Sequence, residues 1–343
     1  MVKVSIIIPV YNGGEKFRAC LESVRALNPP ADEVIVIADS DTDGSRELAR
    51  GYGARVLVQS PQAGPAKARN WGAREASGDV VFFLDADCTA QTDLIARVKD
   101  AMRDSNTAAL IGSYDDAPGN PSFLSQYKNL MHHYTHQMGS EEASTFWGAC
   151  GAVRRDVFLS LNGFDAEKYT RPCIEDIELG YRMRAAGHKI RLVKDLQIKH
   201  LKQWTASSLF KTDFYDRALP WTELLLSSGT MLNDLNLKQG DRVSVALSWV
   251  LTGALGLGIT GGLAALLGAA FGTTLVLIGL VLAVLSAGGL IVLNRAVYAW
   301  LREKRGTIFM LRAIPWHWFY FVYSGAAYAL GIIRYKFLRR ARA

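Results

Sequence analysis

Asp85 and Asp87, in the triplet Asp85-Ala86-Asp87, directly follow the wholly apolar run of residues 80–84. A short apolar run of that kind reads as a buried strand, so the two carboxylates stand at its open end. Placed two residues apart, they can share one hard divalent cation, Mg²⁺ or Mn²⁺. Such an ion bridges carboxylate and diphosphate oxygens and stabilises a leaving diphosphate. A turn with helix-capping acids has the same spelling. A second acidic cluster, Asp39, Asp41 and Asp43, follows another strand-like run at residues 33–38.

The elements that position these acids alternate through the first hundred residues. Apolar runs at 4–9, 33–38, 54–58 and 79–84 are separated by helical patterns ending near Leu27, at 45–52 and at 65–76. Short apolar strands with helical crossovers predict a mostly parallel sheet covered on both faces. Ligands bind beyond the carboxyl ends of such strands, which is where both acidic clusters fall. Farther along, helices are expected at residues 122–137, a segment carrying His132, His133 and His136, and at 155–161 and 176–186. Residues 203–230 hold two amphipathic segments that suit a membrane interface. No internal repeat is visible.

Half of the 343 residues are hydrophobic, and their placement is uneven. Residues 243–293 contain no Asp, Glu, Lys or Arg, a stretch of 51 residues. One membrane crossing needs about 20, so this run predicts two helices joined by a turn at residues 268–274. The motifs Gly258-x-x-x-Gly262 and Gly268-x-x-x-Gly272 allow close helix packing, within the hairpin or between chains. A third apolar segment, 313–333, is rich in Trp and Tyr and flanked by basic residues; it reads as an interfacial or re-entrant helix. The net charge of +7 comes from the tail, which carries ten Lys/Arg and one Glu after Leu293. That tail reads as cytoplasmic and lipid-facing, not as a nucleic-acid site. Met1–Val10 is too short for a cleavable signal, so residues 1–242 are expected in the cytosol of a multi-pass protein of the inner membrane. Cys20, Cys88, Cys150 and Cys173 show no metal-like spacing and read as reduced thiols.

Several ordered motifs together resemble the family 2 glycosyltransferases with the GT-A fold. The opening Ser5-Ile6-Ile7-Ile8-Pro9-Val10-Tyr11-Asn12 is similar to that family's first strand and nucleotide-facing loop, which brings in Pro9 and Tyr11. The resemblance assigns Asp39 to the nucleoside base; the family often has a further acid where this chain has Ala38. It places Arg69, in Gly64-Pro65-Ala66-Lys67-Ala68-Arg69-Asn70, on the diphosphate or base, with Asp85 on the nucleotide and Asp87 on the metal. Arg154-Arg155, Phe158 and Asn162-Gly163-Phe164-Asp165 resemble the acceptor side. Ile174-Glu175-Asp176 resembles the catalytic acid motif, and His200 the histidine that approaches metal or diphosphate.

The resemblance implies an inverting transfer from a nucleoside-diphosphate sugar, assisted by Mg²⁺ or Mn²⁺. One carboxylate then takes the acceptor proton, and Asp176, beside Glu175, fits that role. A helix N-terminus favours its ionised form and the adjacent acid opposes it; an N-cap is its plain alternative. Trp147 falls where the family lines the acceptor pocket, although core packing suits it too. Arg217 and Trp221 could hold a diphosphate or lipid phosphate, or belong to an interfacial helix with a snorkelling arginine. The expected organisation is a catalytic domain at 1–205, interfacial segments at 206–242, a membrane hairpin at 243–293 and a basic region at 294–343. A membrane-borne, lipid-linked acceptor follows from that location. The rivals are a processive polysaccharide synthase, which carries a Gln-x-x-Arg-Trp string absent here, and a non-catalytic nucleotide-sugar-binding scaffold. A dinucleotide oxidoreductase would need Gly-x-Gly-x-x-Gly after the first strand, which is missing.

Overall fold

The computed structural model describes residues 2–229 and 238–342, with side chains to Phe337. Residues 230–237, part of the expected interfacial segment, and the side chains of Arg339, Arg340 and Arg342 lie outside the described residues. The chain divides into two compact units, Met1–Leu209 and Phe210–Ala343.

In the first unit, β1 (Val4–Val10), β2 (Glu33–Asp39), β3 (Arg55–Gln59) and β4 (Val80–Leu84) form the parallel part of one sheet. Helices α1 (Gly14–Arg25), α2 (Ser45–Gly51) and α3 (Pro65–Glu75) connect these strands. This half follows directly from the apolar runs: every residue of β4 is buried, and each such side chain contributes about 1.5–3 kcal/mol. The rest of the sheet is mixed. It adds β5 (Cys88–Ala90), β6 (Thr107–Tyr114), β7 (Glu142–Ala143), β8 (Cys150–Arg154) and β9 (Lys189–His200), in the order β3-β2-β1-β4-β8-β6-β9-β5 with β7 beside β9. β8 runs antiparallel to both β4 and β6, and β5 and β7 run antiparallel to β9. The sheet is therefore parallel only over its first half and at the β6–β9 pair. Four short helices complete the unit: α4 (Leu94–Ala101), α5 (Phe123–Gln137), α6 (Arg155–Ser160) and α7 (Glu175–Ala185).

Two glycines fix elements that carry charged site residues. At Gly180 in α7 a Cβ would lie 2.2 Å from the Phe146 backbone nitrogen, so this helix rests directly on the Thr145-Phe146 chain. At Gly64, before α3, φ is +88° and a Cβ would lie 2.4 Å from the Thr170 carbonyl oxygen. Only glycine takes that conformation without strain.

The second unit is helical. The run from α8 (Ala206–Lys211), which begins just inside the first unit, continues as a π-helical turn at Thr212–Ala218 and as α9 (Leu219–Ser228). Then come α10 (Gln239–Leu266), α11 (Gly272–Leu293) and α12 (Arg295–Arg342), the last interrupted at Gly306. Among the described residues, α10 and α11 are the two helices long and apolar enough to cross a membrane. The segment at 313–333 lies within α12 and is not one of them.

Glycines bring α10 and α11 together, although not quite those of the expected motifs. A Cβ at Gly279 would lie 2.8 Å from the Ala254 oxygen and the Gly258 nitrogen, and one at Gly272 would lie 2.3 Å from the Ala265 nitrogen. Gly262 and Gly268 face open space. Overpacking of this kind costs about 1–3 kcal/mol. Gly279→Leu is therefore expected to lower the thermal stability of the detergent-solubilised protein, and Gly262→Leu to leave it unchanged. Equal melting of the two variants would refute this packing.

Candidate active site

The carboxyl ends of the parallel strands hold the first group of predicted residues. Asp39 ends β2 opposite Gln59, the last residue of β3. Its buried carboxylate accepts hydrogen bonds from Gln59 Nε2 (2.7 Å) and from the backbone nitrogens of Ala63 and Gly64 (2.9 Å each). The loop entering α3 is thus tied to the end of β2. Beside it lies a cavity of about 770 Å³ lined by Pro9, Tyr11, Asp39, Gly64, Lys67 and Arg171, among others. That volume lies within the range of small-molecule and cofactor sites. A larger cavity, about 960 Å³, lies near the amino ends of β1 and β4, where Arg154 and Arg155 bond backbone carbonyls.

A second group assembles around Arg69. This buried guanidinium contacts Asp85 through Nη2 (2.5 Å) and Glu175 through Nη1 (3.3 Å). It thereby links the end of β4 to the start of α7. Burial raises the Glu175 pKa and the Asp176 charge adds to the rise, while Arg69 opposes both. Burial likewise raises that of Asp85 against the pull of Arg69.

Asp176 is the second residue of α7, whose cap position is Ile174, so it is not the N-cap. Its Oδ2 accepts a hydrogen bond from Gly148 N (2.9 Å) and its Oδ1 one from Ile177 N (2.8 Å). Asp176 stays partly exposed, whereas Glu175 is buried and accepts a hydrogen bond from Cys173 N (2.8 Å).

Asp87 and His200 lie together: His200 Nε2 is 3.5 Å from Asp87 Oδ2. Burial works against ionisation of Asp87, yet the hydrogen bond and charge of His200, with Lys202 and Lys16, hold its pKa below the ordinary value. Cys88 joins the pair, and the donor atoms of Asp87, Cys88 and His200 all lie within 4.8 Å of one another. The set fits a divalent cation, with one carboxylate and one imidazole as its usual donors.

His200 stacks on Tyr114 (4.4 Å between centroids, 7° between planes). Tyr114 in turn meets Trp147 edge-on at 4.8 Å, and His132 lies 4.7 Å from Trp147. Trp147 is thus a buried member of an aromatic group adjoining the Asp87–His200 pair. Arg217 and Trp221 belong to the second unit, at the π-helical turn and in α9. Nearby in that unit, buried Asp213 accepts a hydrogen bond from the Tyr323 hydroxyl (2.8 Å).

Sequence reasoning missed three contributors. Cys88 has no motif of its own, and its approach to His200 depends on the β5–β9 pairing. Tyr114 ends a strand that was not anticipated. Gly148 acts through its backbone nitrogen, which leaves no mark on residue type. His132 and His136 did carry a signal, one helical turn apart on a predicted helix.

The family profile described as Glycosyl transferase family 2 matches residues 5–161. Glu175, Asp176 and His200 lie beyond that stretch. An uncharacterized glycosyltransferase, YibD of Escherichia coli, is 43% identical over 89 residues, 25% of this chain and 26% of its own length. The O-antigen chain rhamnosyltransferase WbaN of Salmonella anatum is 24% identical over 242 residues, covering 65% of this chain and 75% of the relative. The chain spans between about a quarter and two fifths of the length of the first curated relatives it matches. Among solved structures, the mannosyltransferase PcManGT from Pyrobaculum calidifontis, in complex with GDP-Man and Mn²⁺, superposes with a TM-score of 0.51. The identity is 15%, over 96% of this chain and 87% of that one. The two share the GT-A fold.

Proposed function

We infer that this chain, a family 2 glycosyltransferase over residues 5–161, moves a sugar from a nucleoside-diphosphate sugar to an acceptor hydroxyl with inversion. One observation carries the reading. The Asp39 cavity and the acids around Asp85 and Asp87 lie beyond the carboxyl ends of the parallel strands β2 and β4, which flank β1, and Arg69 ties that edge to Glu175-Asp176. In this reading donor recognition and proton removal share one site.

Each residue has a role that its surroundings support. The Asp39 carboxylate accepts and cannot donate, so it suits an N–H on the edge of a base, with Pro9 and Tyr11 walling the same cavity. Asp87 and His200 would hold Mg²⁺ or Mn²⁺, which when bound supplies positive charge to the leaving diphosphate. Asp176 is the general base: it is partly exposed, and Gly148 and Ile177 fix its orientation. Glu175, buried and held by Arg69 and Cys173, positions that base. Trp147 walls the acceptor side. The relatives' named glycosyl transfers support the reaction type, and the mannosyltransferase with bound GDP-Man and Mn²⁺ supports the donor class and the metal.

The acceptor is lipid-linked in this reading. The apolar windows of α10 and α11 are only 22% and 17% buried. An apolar surface of that extent requires cover, which a bilayer provides. The protein would then be multi-pass in the cytoplasmic membrane, with its basic tail and catalytic unit in the cytosol. Arg217 and Trp221 suit the phosphate of such an acceptor.

A donor panel tests the proposal. Membrane extract containing the full chain should release nucleotide from one class of nucleoside-diphosphate sugar, stop on addition of EDTA and recover with Mn²⁺ or Mg²⁺. Asp87→Ala should abolish the recovery. Release that is indifferent to EDTA would refute the metal role. Donor binding with no release would indicate a scaffold instead.

A further inference from the structure

We propose that Cys88 is a third protein ligand of the cation held by Asp87 and His200, and that its sulfur biases the site toward thiophilic ions. The inference rests on the metal-dependent reading above and adds to it the choice of metal.

Three observations converge. Cys88 and His200 are directly opposed in the antiparallel β5–β9 ladder, and opposed residues project to the same face of a sheet. Asp87 immediately precedes Cys88, and its carboxylate lies between the two: Cys88 Sγ is 3.9 Å from Oδ1, and His200 Nε2 is 3.5 Å from Oδ2. Finally, the three donors already lie within 4.8 Å of one another. Donors around a tetrahedral ion with metal–sulfur and metal–nitrogen bonds of about 2.3 and 2.1 Å stand roughly 3.6 Å apart, so small side-chain rotations close the set.

The chemistry follows from the donor types. Mg²⁺ demands oxygen ligands and retains water, whereas a carboxylate, an imidazole and a thiolate together suit Mn²⁺ less than Co²⁺, Zn²⁺ or Cd²⁺, and Mg²⁺ least of all. On binding, the Cys88 S–H bond breaks, its proton leaves to solvent and a metal–sulfur bond forms; nothing is oxidised. Cys20 provides an internal contrast, because its thiol points instead at the Asp85 carbonyl oxygen, 3.8 Å away.

The test is optical. The reduced full chain is titrated with Co²⁺ or Cd²⁺ while thiolate-to-metal charge-transfer absorption is recorded. The band should saturate at one equivalent in the wild type and in Cys20→Ser, and be lost in Cys88→Ser. A variant in which Cys20, Cys150 and Cys173 are all serine, leaving Cys88 alone, should retain it, so the result stands even if Cys88→Ser folds poorly. Cys88→Ser should also weaken Co²⁺ binding by on the order of tenfold or more relative to Mg²⁺. A band that survives in Cys88→Ser, or a wild type with none, overturns the proposal. If Mn²⁺ still binds in an Asp87-dependent way without a band, only the sulfur ligand is excluded. If the wild type binds no Mn²⁺ even with nucleotide present, the metal-dependent function fails as well.

Discussion

Asp176→Asn is expected to lower kcat by about 10²- to 10⁴-fold, the usual contribution of a positioned general base. The substitution preserves shape. The asparagine carbonyl oxygen can still accept one of the bonds now made by Gly148 N and Ile177 N, so the start of α7 stays in place. What it removes, on the proposed function, is the carboxylate that takes a proton from the acceptor hydroxyl. Donor affinity should be nearly unchanged, because the Asp39 cavity and the Asp87–His200 pair do not involve this side chain. Steady-state kinetics beside calorimetric titration of nucleotide separates the two quantities. A kcat within about threefold of wild type would remove Asp176 from the reaction. A parallel loss of nucleotide affinity would assign it to the donor side.

Arg69→Leu should strongly lower stability. The buried guanidinium serves two acids at once, Asp85 and Glu175. Removing one partner of a buried ion pair costs about 3–5 kcal/mol, because the charges left behind are uncompensated. For a unit of this size that corresponds to a fall in Tm on the order of 10 °C. Arg69→Lys should rescue only part of it, since an ammonium lacks the planar fork that reaches two carboxylates.

The deficit should also depend on pH, with a sign fixed by Glu175. Burial and Asp176 raise its folded-state pKa. Its protonated form therefore suits the fold, and stability present at low pH is lost as pH rises through the folded value. Without Arg69 that loss deepens, so the gap between variant and wild type should widen as pH rises above the ordinary glutamate range. Thermal melts across that range would show it. A constant gap would mean that Arg69 acts through packing alone.

The sequence by itself determined those features that depend on near neighbours. Apolar runs bounded by turn residues marked β1, β2 and β4, and the acids immediately after them had to lie at strand ends. The uncharged stretch from residue 243 to 293 required two helices, because its length and composition leave no other element that buries its backbone. Ordered motifs identified the GT-A fold and brought Asp39, Asp87 and Asp176 forward as candidates.

Only the tertiary structure decided which candidates meet. Arg69 reaches Glu175 across 106 positions of chain, and the Cys88–His200 pairing exists only because β5 runs antiparallel to β9. The expectation of a mostly parallel sheet stopped at β4 for the same reason. Side-chain periodicity reports whether a residue is buried, and that is a local property. Strand order, strand direction and the partner of a buried charge depend on how distant segments close upon one another, and no local pattern encodes that closure.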